Sequence, residues 1–252
     1  MKVSGIVELS TIDYPKKCSA VVFLSGCNMK CGYCYNYKHI TERSYEMSAE
    51  EVFKNMDLMF AEALVISGGE PTLQPEGVKE LCKLAKEKGF PVKIDTNGTN
   101  VDVIRDLVEN KLVDYVAVDV KCRFDKYKEL TGIDGETIKE NILKIINICK
   151  ENNVFIECRT TFIPTIMDKE DIEEIASTIK DCDMYAIQQF DNEHAYCEEF
   201  KKIKTSTTEE LLELGKIAKN YIDNVVVRTL DGEFRINNDL MDNNKNNIKN
   251  RR

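Results

Sequence analysis

The sequence predicts an α/β fold, a partial (β/α)6 barrel with a C-terminal helix/strand extension. Three observations predict it. Six short apolar runs alternate with helix-like stretches, the pattern of a parallel sheet covered by helices. No apolar run approaches the ~20 residues needed to span a bilayer. Polar or glycine-rich residues recur where each apolar run ends.

The first strand is Ser19–Ser25 (Ser-Ala-Val-Val-Phe-Leu-Ser). Ser48-Ala49-Glu50-Glu51 is a capping box that opens a helix to about Phe60. Ala63–Ser67 is a short buried strand, and Pro75–Lys88 a helix stopped by Gly89. Strands at Pro91–Asp95, Asp114–Val120, Val154–Phe162 and Met184–Phe190 alternate with helices at Val101–Asn110, Thr137–Asn152 and Asp168–Lys180. Six units are too few for the closed eight-stranded barrel. Thr207–Ile222 reads as a further amphipathic helix and Val225–Leu230 as an added strand. Residues 1–200 are read as the core domain and 201–236 as an extension packed on it. Residues 237–252, rich in Asn and Lys, are read as a disordered tail.

A chain of 252 residues with 42% hydrophobic and 31% charged residues is expected to be soluble and globular. Its net charge of −9 makes it a poor ligand for nucleic acid. The run Lys201, Lys202 and Lys204 reads as a solvated loop. The N-terminus lacks the apolar stretch of a signal peptide. The ten cysteines are scattered; Cys82, Cys149, Cys158 and Cys182 fall in apolar or helical stretches and read as core residues. No secreted disulfide framework is evident, so a reducing cytoplasm is expected and no membrane or nucleic-acid partner.

In βα barrels, function gathers where strands end. The first strand ends in Cys27-Asn28-Met29-Lys30-Cys31-Gly32-Tyr33-Cys34. Three thiolates on one loop can hold three irons of a four-iron cluster and leave the fourth open. A zinc knuckle completed by His39 or another cysteine, and a disulfide pair, are the alternative readings. The later strands end in Gly68-Gly69-Glu70-Pro71, in Asp95-Thr96-Asn97-Gly98 and in Asp119-Val120-Lys121. The fifth carries Arg159 and the sixth carries Gln188 and Gln189. Each alone is ordinary turn chemistry. Together, on one predicted face beside a metal-ligand loop, they favour the cluster over zinc.

The CxxxCxxC loop followed by a strand ending in Gly-Gly-Glu-Pro resembles the radical S-adenosylmethionine (SAM) superfamily over about Ser19–Phe190. Leu9–Pro15 (Leu-Ser-Thr-Ile-Asp-Tyr-Pro), with Ser25-Gly26-Cys27-Asn28 and Cys34-Tyr35-Asn36, is similar to the activating enzymes of anaerobic ribonucleotide reductase and to pyruvate formate-lyase activase. Both generate a glycyl radical on a partner.

The resemblance implies the radical SAM version of the barrel and a role for each residue. Cys27, Cys31 and Cys34 ligate a [4Fe-4S] cluster whose open iron takes the amino and carboxylate groups of SAM. Tyr33 and Tyr35 lie by the adenine. Gly68, Gly69 and Glu70 lie along the methionine part. Asp95, Thr96, Asp119 and Lys121 bind the ribose and carboxylate ends, with Arg159 a further carboxylate ligand and Gln188 set for a ribose hydroxyl. In the formate-lyase activase pattern the two aspartates also hold a monovalent cation. That pattern ends the sixth strand with a histidine; here it reads Ala186-Ile187-Gln188-Gln189-Phe190, with His194 further on. This favours a reductase activase. No cysteine lies between Cys34 and Cys82, which leaves no room for a two-cluster insert. The implied reaction is reductive cleavage of SAM to a 5′-deoxyadenosyl radical that takes a hydrogen from a glycine of anaerobic ribonucleotide reductase. A flavodoxin or ferredoxin supplies the electron. The alternative is a radical SAM enzyme acting on a small molecule or peptide, such as a deazapurine synthase.

Overall fold

A computed structural model describes residues Met1–Asn237. The chain opens with a hairpin, β1 (Lys2–Tyr14) antiparallel to β2 (Lys17–Leu24), turned at Pro15-Lys16 with Lys16 at φ 63°. Helix α1 (Tyr37–Glu42), the short strand β3 (Tyr45–Glu46) and α2 (Ala49–Lys54) follow. The expected capping box is present: Ser48 Oγ accepts from Glu51 N, and the Glu51 carboxylate accepts from Ser48 N. The helix ends at Lys54 rather than near Phe60. Asp57 turns the chain there by accepting from the Met59 backbone N–H at 3.0 Å, a local bond that competes with helix.

The alternating part comprises β4 (Ala63–Gly68), α3 (Pro75–Glu87), β5 (Val92–Thr96), α4 (Val101–Glu109), β6 (Tyr115–Asp119), α5 (Tyr127–Thr131) and α6 (Gly135–Glu151). It continues with β7 (Phe155–Phe162), α7 (Lys169–Thr178), β8 (Met184–Gln189), α8 (Glu198–Lys201), α9 (Thr208–Ala218), β9 (Val225–Thr229) and β10 (Gly232–Arg235). All strands form one sheet in the order β10-β9-β8-β7-β6-β5-β4-β2-β1-β3. From β2 through β9 every neighbouring pair is parallel. The sheet therefore has seven parallel strands, the six expected of the core and the expected added strand, β9, which pairs parallel with β8, and it is open at both edges.

Strand alternation gives the sheet two faces. One packs on the helices through fully buried residues such as Leu24, Leu64, Ile66, Ile94, Val116, Ile156 and Ile187. Cutting Ile66 or Ile94 back to Ala should cost about 2–5 kcal/mol. The opposite face carries Val21, Ala63, Val65, Tyr115, Ala117, Met184, Ala186 and Val226. Along each strand this second face turns polar toward the C-terminal end, which places Ser67, Asp95, Asp119, Arg159 and Gln188 on one side. Cys82, Cys149, Cys158 and Cys182 are buried, as expected of core residues. The tail expected over 237–252 lies, Asn237 apart, outside the described residues, and Asn237 itself is exposed.

Candidate cluster and cofactor site

The cysteine loop leaves β2 at Leu24 and is stapled from five directions. Ser25 N donates to Lys2 O (2.9 Å), Gly26 N to Ile40 O (2.9 Å) and Lys30 N to Thr131 O (3.4 Å). Glu70 N donates to Gly26 O (2.8 Å) and Cys197 N to Gly32 O (2.9 Å). Backbone bonds to β1, α1, the end of α5, the end of β4 and the segment before α8 thus fix a loop with no regular structure of its own.

Burial raises all three thiols above their ordinary pKa, Cys31 to about 11, while the Lys121 ammonium acts on all three in the opposite direction. The same cation thus acts on all three sulfurs and offsets part of the cost of ionising a buried thiol. Among the described residues no three His, Cys, Asp or Glu side chains converge as they would on a single metal ion. His39, the ligand a zinc knuckle would recruit, is exposed on α1. Thiolates of a four-iron cluster each hold a different iron, so a trio on one loop with a lysine beside it suits that group.

The two glycines permit a close approach of two backbone segments. A Cβ on Gly69 would collide with the carbonyl of Gly26, and one on Gly68, at φ +117°, with the backbone of Leu24. They let the end of β4 lie against the root of the cysteine loop. Glu70 is fully buried and its carboxylate is held by the protein. Oε1 accepts from Thr72 N (3.0 Å), Thr72 Oγ1 (2.5 Å) and Thr96 Oγ1 (2.8 Å); Oε2 accepts from Asn97 N (2.6 Å). Burial pushes this carboxyl up, against those donors. Glu70 is thus a strut between the ends of β4 and β5, and Thr96 spends its hydroxyl proton on it.

The charged residues form a chain across the strand ends. Lys93 Nζ meets Asp95 Oδ1 at 3.0 Å, and Arg159 Nη1 meets the same oxygen at 3.1 Å. Arg159 Nε donates to Asp119 Oδ1 (2.8 Å) and Lys121 Nζ to Asp119 Oδ2 (2.8 Å). Burial pushes both carboxyls up, but Arg159 with Lys93 at Asp95, and Arg159 with Lys121 at Asp119, outweigh it; both titrate below the usual range, Asp119 well below. Deeper on the same face Glu157 accepts from Tyr115 Oη (2.9 Å) and Arg228 Nη1 (2.6 Å).

Tyr33 is 7% exposed and, among the described residues, its hydroxyl has no partner. Tyr35 is 66% exposed, with Arg159 and Asp119 as its charged neighbours. Gln188 lies in register between Thr161 and Arg228, on the same face as the charges. Gln189 faces away and ties β8 to the segments around α9 and β9: its Nε2 donates to Ser206 O (2.7 Å) and its Oε1 accepts from Leu230 N (2.8 Å).

Three participants escaped the sequence reading. Asn97, read as an ordinary turn residue, donates from Nδ2 to Cys27 Sγ at 3.8 Å and to Asn28 Oδ1 at 2.8 Å. Ser67 Oγ donates to Asp95 Oδ2 at 2.8 Å. Lys93 is buried beside the same aspartate. For Lys93 and Ser67 the period-two spacing along β5 and β4 was an available signal.

A cysteine trio at the mouth of an open parallel sheet, flanked by a Gly-Gly-Glu turn and a half-buried Asp/Arg/Lys chain, defines a radical SAM enzyme. The chain belongs to the radical SAM superfamily, whose domain matches residues 21–182. Within it the chain groups with the glycyl-radical enzyme activating enzymes. It is 66% identical over 236 residues, 93% of this chain and 98% of the relative, to a Methanocaldococcus jannaschii protein named as a candidate glycyl-radical enzyme activating enzyme. It is 31% identical to the pyruvate formate-lyase-activating enzyme of Clostridium pasteurianum over 71% of this chain and 76% of that one. The crystal structure of Streptococcus suis SuiB bound to its precursor peptide SuiA shares the fold, with a TM-score of 0.64 and 18% identity over 83% of this chain and 48% of that one. Among the described residues no helix is long and apolar enough to cross a membrane.

Proposed function

We propose that this enzyme installs a glycyl radical on anaerobic ribonucleotide reductase, taking its electron from a flavodoxin or ferredoxin. The observation that carries the reading is the thiol trio held beside Lys121 and joined, through Gly26 and Glu70, to the polar ends of the parallel strands. A [4Fe-4S] cluster with SAM supplies one-electron cleavage of a sulfonium and, through it, hydrogen removal from a glycine.

The chain's own residues bind and orient. Cys27, Cys31 and Cys34 would hold the cluster. Lys121 and Arg159 bring positive charge to the strand ends and suit the SAM carboxylate, with Asp119 fixing the orientation of both. The free hydroxyl of Tyr33 and the open ring of Tyr35 suit the adenine side. Gly68 and Gly69 place backbone along the methionine part, while Glu70 and Thr96 hold that backbone in place rather than touching the ligand. Asp95 and Gln188 serve the ribose side. Residues 201–236 are an extension of the core of residues 1–200, and Gln189 ties the two together. The ten free cysteines support a reducing cytoplasm.

The test is anaerobic incubation of the reconstituted protein with dithionite, SAM and a candidate reductase, reading deoxyadenosine by chromatography and the glycyl radical by electron paramagnetic resonance. Both products are expected. Deoxyadenosine without a radical on the reductase would keep the superfamily chemistry and remove this partner.

A further inference from the structure

We infer that Arg159 is the resident cation of the Asp95–Asp119 pair, so that the site takes no monovalent metal ion. The resemblance to the formate-lyase activases implies such an ion between the two aspartates. The residues present do not fit one. Two carboxylates at the ends of adjacent strands need positive charge between them, because burying like charges together is costly. Here a side chain supplies it. Arg159 lies on β7, with Asp119 opposite it in the parallel register. Its rigid guanidinium reaches Asp119 Oδ1 through Nε at 2.8 Å and Asp95 Oδ1 through Nη1 at 3.1 Å.

The remaining oxygens are engaged as well. Asp95 Oδ2 accepts from Ser67 Oγ at 2.8 Å and Asp119 Oδ2 from Lys121 Nζ at 2.8 Å. Lys93 adds a third cation at 3.0 Å from Asp95 Oδ1, and its own ammonium is anchored by Asp13 O at 2.7 Å. Three cations therefore face two carboxylates. All four carboxylate oxygens have protein donors, and the set already carries one positive charge in excess. The side chains of Lys93, Arg159 and Asp95 are only 4%, 12% and 13% exposed. A metal ion would have to displace a buried guanidinium that cannot neutralise itself by losing a proton. The excess charge matches a single ligand carboxylate. Arg159 is accordingly a positioning residue for Asp95 and Asp119 as well as a cation.

This inference rests on the SAM reading of the site but not on the identity of the partner. The test compares the cluster-loaded protein in NaCl, KCl, CsCl and choline chloride at equal ionic strength, reading the thermal midpoint and the SAM dissociation constant. The wild type should show the same midpoint in all four salts and less than a twofold spread in SAM affinity. Arg159→Gln vacates the pair and should become responsive, melting higher in an alkali chloride than in choline chloride and regaining SAM affinity with it. A saturable stabilisation of the wild type by one alkali ion over choline would overturn the inference. So would a folded Arg159→Gln protein indifferent to the cation. If that variant does not fold, Arg159→Lys, which keeps a charge but cannot bridge both carboxylates, takes its place with the same expected cation response. The thermal midpoint needs no SAM turnover, so failure here is separable from failure of the proposed activity.

Discussion

The side-chain amide of Asn97 donates to the sulfur of Cys27 across 3.8 Å, while its backbone N–H donates to Glu70 Oε2 at 2.6 Å. One residue thus links the strut between β4 and β5 to the sulfur of Cys27, a proposed cluster ligand. Hydrogen bonds to ligand sulfurs stabilise the more negative, reduced form of a cluster and raise its potential. Asn97→Ala keeps the backbone bond and removes the donor. The cluster midpoint should move negative by an amount on the order of tens of millivolts, where about 59 mV is tenfold for a one-electron couple. A redox titration followed by electron paramagnetic resonance measures it; an unchanged midpoint with an intact cluster would remove the tuning role.

Replacing Cys27, Cys31 or Cys34 by Ser should abolish the brown chromophore and SAM cleavage. Cys197 provides the contrast. Its backbone N–H is bonded to Gly32 O at 2.9 Å, next to the loop, yet it stands outside the trio. Cys197→Ser should keep the iron and sulfide content. Loss of iron in that variant, or its retention in Cys31→Ser, would redraw the ligand set.

Gly69→Ala drives a methyl group into the Gly26 carbonyl. The backbone on one side must move, at a cost of about 1–3 kcal/mol or more. Because Gly26 precedes Cys27, the loss should show in cluster retention as well as in SAM affinity. Normal iron content and an unshifted melting temperature in this variant would contradict the close packing of the two loops.

Glu70→Gln substitutes an amide for a carboxylate that receives four hydrogen bonds. An NH2 group must then face donors, leaving at least one of them unsatisfied in a buried setting, at about 1–3 kcal/mol. Chemical denaturation should register a stability loss of that order, with Glu70→Asp also damaging because the shorter side chain cannot span both strand ends. A Glu70→Gln protein as stable as the wild type, yet weaker for SAM, would restore a direct ligand role.

Asp95 and Asp119 titrate in the folded protein below their unfolded value of about 3.9. Groups lowered in this way contribute stability at pH above that value, and it is lost only as pH falls through the folded values. The pair should therefore hold through pH 4, and acid unfolding should begin lower still at this site. Arg159→Gln takes away the main attraction that lowers both. Its acid midpoint, followed by far-ultraviolet circular dichroism, should lie at higher pH than that of the wild type. Coincident acid midpoints would show that the ion chain adds nothing to acid resistance.

Periodicity and caps in the sequence were enough for the six core strands, the capping box at Ser48 and the side of the sheet on which the polar strand ends lie. Apolar runs and local hydrogen bonds carry that information within a few residues. The cysteine spacing carried the cluster reading in the same way. β1 escaped because it lies toward the sheet's edge, largely exposed, and shows no apolar run. The partners of the polar residues were a tertiary matter. Glu70 finds Asn97 across 27 residues and Arg159 finds Asp95 across 64. Alternation along a strand assigns a side chain to a face, but only the register between strands decides which side chain it meets there. That register set Glu70 as a strut between two strand ends and Arg159 as the bridge between two aspartates.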